Sequence, residues 1–141
     1  MNTHADSETL LFHDFTLRSY EVSDYGRTIT LDLLTAWEPV LYSKLQFRDV
    51  ESYRFTHTGG AILIDIDEVP FVEAVRELGI DFAAELRQHG GLHVSFPTDS
   101  EYGRHFAAGG YKTWLIASAI GFLGMVVAKS LVSLPPGNVT A

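Results

Sequence analysis

The stretch TWLIASAIGFLGMVVAKSLVSL, Thr113 to Leu134, decides the fold of this chain. Its first 16 residues, Thr113 to Ala128, carry no charge. They suit either a membrane helix or the interior of a β-rich domain. A spanning helix needs about 20 apolar residues to cross a hydrocarbon core of about 30 Å. Sixteen residues at a helical rise of about 1.5 Å cover only about 24 Å before Lys129. Snorkelling by Lys129, with Leu131, Val132 and Leu134 extending the apolar run, keeps a tail anchor open as an alternative. The glycines favour strands instead. Gly121 and Gly124 sit where a hairpin would reverse, which predicts a turn over Ile120 to Gly124 between strands Thr113 to Ala119 and Met125 to Ser133. Both faces of these strands are apolar, so the hairpin must be central and covered on both sides.

Upstream, the pattern is that of an antiparallel sheet. Thr28 to Trp37 alternates, with Ile29, Leu31, Leu33, Thr35 and Trp37 on one face. Phe15 and Leu17 share one phase and Tyr20 and Val22 the other, which predicts a bulge near Ser19. Asp24-Tyr25-Gly26-Arg27 reads as the hairpin turn. Leu45 and Phe47 alternate, as do Tyr53, Phe55 and His57, and Gly59-Gly60 reads as a turn into Ala61 to Asp67.

Pro70 then opens a helical segment over residues 70–89, with Phe71, Val75, Leu78, Phe82 and Leu86 at helical spacing. Gly79 is its predicted internal stop and Asp81 the cap of a second piece. Leu92 to Phe96 reads as a strand, and Thr98 to Gly110 as a loop. Residues 1–9 are polar and read as a disordered lead-in. The fold expectation is α+β in one domain: a mainly antiparallel, twisted sheet or two-layer sandwich of about seven or eight strands, with the 70–89 segment packed on it.

The 141 residues suffice for one core, and 46% apolar content is that of a folded domain. Ten basic residues against 18 acidic ones give a net charge of −8. With no basic cluster, that balance argues against nucleic acid and anionic membrane surfaces, and it favours a basic protein partner. Cysteine is absent, so disulfides and thiolate chemistry are excluded. The first 14 residues have no secretory pattern, from which a cytoplasmic setting is the expectation.

Three segments together, Phe12-His13-Asp14 with Leu17, Arg27 to Leu31, and Ser118 to Lys129, resemble a group of small bacterial proteins of unknown function. Some of its members are labelled immunity proteins of toxin systems. The resemblance implies a β-domain that includes the glycine-rich C-terminal segment, a protein partner, and no catalytic residue. The chain departs from that pattern at Ala119 and Met125, where a more polar pair and a tryptophan would be expected, and the 70–89 segment reads as an insertion.

Candidate chemistry is sparse, and the favoured role is protein binding without a cofactor. Asp65 and Asp67 fall on one side of a strand and, with His13 or His93, form the candidate metal set of an alternative, metal-dependent hydrolase. His13-Asp14 equally suits a polar strand edge, and acidic residues before a helix complement its dipole. His57 and His93 are a second conceivable pair. Tyr102, Arg104, His105 and Tyr111 are candidates for a partner surface or a small anion site. An exposed sheet edge also leaves a homo-oligomer open.

Overall fold

The computed structural model describes residues 15–35, 41–62, 64–89 and 96–138. These residues form eight strands in two antiparallel four-stranded sheets, together with three helices. The first sheet contains β1 (Phe15–Ser23), β2 (Thr28–Thr35), β3 (Leu41–Arg48) and β8 (Ser130–Asn138), in the order β1-β2-β3-β8. The second contains β4 (Ser52–Ile62), β5 (Asp65–Val69), β6 (Lys112–Ala117) and β7 (Ile120–Ala128), in the order β4-β7-β6-β5. The α+β expectation of a mainly antiparallel β-structure with helices therefore holds.

The alternation read from β2 sets its burial: Ile29, Leu31 and Leu33 are sealed and Thr35 is buried. In β1 the register shifts between Leu17 and Ser19, so a bulge lets Phe15 and Leu17 as well as Tyr20 and Val22 pack on the same core. Two corners join the sheets. β3 runs into β4 across Asp49 to Glu51, and β7 runs into β8 across Lys129. The ladder carries through both, as Lys129 N donates to Arg48 O at 3.1 Å and Glu51 N donates to Val127 O at 2.8 Å.

The stretch from Thr113 to Leu134 is neither the predicted single hairpin nor a helix. It supplies β6, β7 and the start of β8. The chain reverses between Ser118 and Phe122, where the Ser118 hydroxyl accepts from Phe122 N at 2.9 Å and donates to Phe122 O at 3.0 Å, and Gly121 within the reversal takes a positive φ of 90°. Gly121 and Gly124 lie inside β7. Gly124 faces Phe55, and a Cβ there would stand 2.6 Å from Phe55 Cδ1 and 2.9 Å from Arg54 O, so the glycine answers a close approach and not a turn. The continuous helix required by a tail anchor does not form, and no helix among the described residues is long and apolar enough to cross a membrane.

A second correction concerns Gly59-Gly60. The pair lies within β4, which pairs with β7 and not with β5, and the β4 register shifts between His57 and Ile62. The predicted strand over residues 92–96 falls almost wholly outside the described residues, as do residues 1–9.

Sheet two is the middle of three layers. Trp114, Ile116, Phe122, Val126 and Ala128 point into the sandwich against Leu31, Leu45 and Phe47. Met125 and Val127 point the other way, onto the helices, with Leu115 half-buried beside them. That double cover explains the unbroken apolar run. The cover comes from α1 (Phe71–Leu78), α2 (Phe82–His89) and α3 (Asp99–Ala108). Gly79 ends α1 in the left-handed region at φ 69°, with its N–H donating to Arg76 O at 3.0 Å and Ile80 N donating to Val75 O at 3.3 Å. Asp81 Oδ1 accepts from Ala84 N at 3.0 Å and caps α2 as read.

The residues 98–110 are not a loop. Thr98 Oγ1 accepts from Glu101 N at 3.3 Å and donates to Glu101 Oε1 at 3.0 Å, an N-cap that starts α3. One turn in, Asp99 reaches across to α2, accepting from Ala83 N at 2.7 Å and Phe82 N at 3.3 Å.

Candidate functional site

One end of the sandwich carries the most distinctive side chain. In the β1–β2 turn, Asp24 and Tyr25 both adopt left-handed backbone, at φ 56° and 57°, followed by Gly26 at 87°. Gly26 N donates to Ser23 O at 3.1 Å and Arg27 N donates to Asp24 O at 3.0 Å. Such a turn matches the twist of a hairpin, and glycine or asparagine meets its positive φ at little cost. A tyrosine there costs roughly 1–2 kcal/mol of backbone strain. It recovers none by packing, because the Tyr25 side chain is fully exposed.

The tip is fastened to the sheet corner. Val50 N donates to Arg27 O at 2.9 Å, and Arg27 Nη2 lies 3.7 Å from Asp49 Oδ1. Asp49, at φ 55°, is the third described non-glycine residue with a left-handed backbone, so all three sit at this end. Behind them, Lys129 Nζ stands 5.2 Å from the centre of the Tyr111 ring, a cation–π contact. Burial raises the Tyr111 phenol pKa above its usual value near 10, and the Glu51 carboxylate, which accepts the phenolic hydrogen bond, raises it further. Arg27, Asp49, Glu51, Tyr111 and Lys129 thus form one connected polar and aromatic face beside the turn that carries Tyr25.

Next to Tyr111 lies a surface cleft of about 350 Å³ between β5, β6, α1 and α3. Among its lining residues are Val69, Phe71, Gly103, Phe106 and Thr113. A smaller cleft of about 190 Å³ lies between β4 and α2, where Arg54 and Glu85 form an ion pair.

The structure separates the residues proposed from sequence. Tyr102 is a correction: capping of α3 turns it and Phe106 inward, and it is 1% exposed among Phe82, Phe96 and Phe106. It cannot contact a partner. Arg104 and His105 are exposed, with the His105 ring 5.1 Å from that of Phe96. Tyr111 alone of the four belongs to the end face. Asp65 and Asp67 share a side of β5, opposite Ala117 and Leu115. Among the described residues, no group of three or more acidic or histidine side chains gathers at metal-holding spacing. His13, His93 and the side chain of His57 lie outside the described residues. Tyr25 was not singled out from sequence, where only the turn was read. The available signal was an aromatic residue between Asp24 and Gly26, at a position that selects for small residues.

No family model matches the chain, and no curated protein is significantly similar to it. Among solved structures, it is similar to the crystal structure of an uncharacterized protein from Neisseria gonorrhoeae, with 12% identity and a TM-score of 0.44 over 88% of this chain and 93% of that one.

Proposed function

We propose that this chain is a non-catalytic binding module that recognises another protein through the end of the sandwich bearing Tyr25. One observation carries the reading: a strained, fully exposed tyrosine on a turn pinned to the sheet corner. Stability does not account for an aromatic ring there, whereas recognition does, since tyrosine offers large contact area with few rotatable bonds and is enriched at binding hot spots. The net charge of −8 supports a basic partner, because complementary charge speeds encounter and excludes wrong partners. With the bacterial resemblance, the specific form of the reading is an immunity-type protein acting in the cytoplasm on a toxin encoded beside it.

The test is calorimetric titration of the neighbouring gene's purified product with the wild type and with Tyr25→Gly. Tyr25→Gly relieves the backbone strain, so its unfolding midpoint should hold or rise while affinity falls at least about tenfold, the effect of losing about 1.4 kcal/mol. Equal affinity of the two proteins removes Tyr25 from the interface and overturns the reading. Failure of co-expression to relieve toxicity would remove the immunity role.

A further inference from the structure

The end of the sandwich that bears Tyr25 has a shape and a charge that define the surface it fits. Both follow from the residues of the β1–β2 tip and from what already engages them.

Ser23 and Thr28 form the last pair of the hairpin, so Asp24, Tyr25, Gly26 and Arg27 lie beyond the ladder as its tip. Tyr25 is 103% exposed, which means that its ring stands clear of the rest of the chain. The backbone beneath it is fixed. Gly26 N and Arg27 N close hydrogen bonds within the tip, and Arg27 O accepts a third from Val50 N at the sheet corner. A tip ordered in this way loses little further freedom on binding.

A specific interface takes about 800 Å² from each partner, and one tyrosine buries about 150–250 Å² when fully covered. Against a flat partner, a ring raised on a fixed tip makes contact over a fraction of that area and holds the neighbouring surface apart. A recess that admits the ring covers both its faces. It also lets the partner close on Arg27, Asp49 and the corner beside them.

Charge narrows the partner further. The cations of this end are engaged, with Arg27 Nη2 3.7 Å from Asp49 Oδ1 and Lys129 Nζ over the Tyr111 ring. Asp24, adjacent to Tyr25, is exposed, and no described residue forms an ion pair or side-chain hydrogen bond with it. Its carboxylate is therefore open to a cation of the partner. In a chain of net charge −8, the same carboxylate disfavours nucleic acid and anionic lipid, both of which would bring phosphate towards it.

Building on the binding role given to this end, we propose that Tyr25 enters an apolar pocket of a folded partner protein, and that the rim of the pocket carries a lysine or arginine that pairs with Asp24. The chain is the convex member of the complex and its partner the concave one.

The experiment measures association and dissociation rates of the neighbouring gene's purified product with the full chain and with Tyr25→Gly, Tyr25→Trp and Asp24→Asn. Tyr25→Trp should keep the wild-type unfolding midpoint, because the ring touches nothing in the free protein. It should nonetheless bind about tenfold more weakly or worse, as an oversized side chain does in a packed site. Asp24→Asn suits the left-handed backbone at φ 56°. It should lower affinity about two- to fivefold at low salt, mainly through slower association, and flatten the salt dependence. Binding of Tyr25→Trp as tight as wild type or tighter, with Tyr25→Gly still weakened, overturns the pocket while the binding role of this end stands. An unchanged salt dependence for Asp24→Asn overturns the basic rim. Absence of binding by the wild type, or Tyr25→Gly binding as tightly as wild type, removes the binding role and the pocket together.

Discussion

Single residues carry unusual weight where the backbone is constrained. Gly124 lets the Phe55 ring and the β4 backbone close on β7, with the Phe122 ring packed against Phe55 on the same face. Gly124→Ala should lower stability by about 1–3 kcal/mol, the cost of overpacking, seen as a lower urea midpoint at unchanged slope. Tyr111 supplies a pH signature. Its folded pKa lies above the unfolded value near 10, through burial first and Glu51 second. The protonated phenol is the favoured form, so its contribution is fully present below pH 10 and is lost as pH rises through the raised folded value. Urea unfolding between pH 8 and 11 should show a steeper alkaline loss for the wild type than for Tyr111→Phe.

Among elements, the helical layer shows how much hangs on capping. Thr98-Asp99-Ser100-Glu101 is a capping-box sequence, and reading it as loop misplaced Tyr102 on the surface. The signal was legible in the residues and was masked by the many small and polar residues around it. The Asp99 contact to α2 was not legible, because a carboxylate accepting from Phe82 N and Ala83 N joins residues 16 and 17 positions apart. Asp99→Ala should cost about 1–2 kcal/mol, by removing the acceptor of two N–H groups at a helix start. Thermal unfolding followed in the near ultraviolet would report it through the Phe82 and Tyr102 packing. At the sheet edges, β5 is five residues long and acidic, and β8 contains Pro135 and Pro136, both features that discourage edge-to-edge pairing. Asp65 and Asp67, which suggested a cation site from sequence, have this ordinary role available to them.

For the whole molecule, the three-layer arrangement makes a claim about β7. In a half-exposed strand, charge on one face is harmless. Here Val126 faces the sandwich and Val127 the helices, both fully buried, so Val126→Lys and Val127→Lys should each destabilise by about 3–5 kcal/mol, as an unpaired buried charge does. Denaturant titration of both variants checks it, and tolerance of either would show one face uncovered.

The run from Thr113 to Leu134 shows where local pattern stops. Alternation, the bulge near Ser19, the Asp24–Arg27 turn, and the Gly79 and Asp81 caps are all set by neighbours in the chain, since dihedral preference and side-chain period act over a few residues. From these the amino acids alone determined antiparallel strands, a helical segment and the need for cover on both faces of the C-terminal strands. Only the tertiary structure decided that Gly124 serves the Phe55 ring and not a turn, that Gly59-Gly60 stays within β4, and that Tyr25 stands fully exposed on a turn fastened to the sheet corner. Each depends on which distant strand or helix comes to lie alongside, and that choice is made by burial of the whole apolar surface at once.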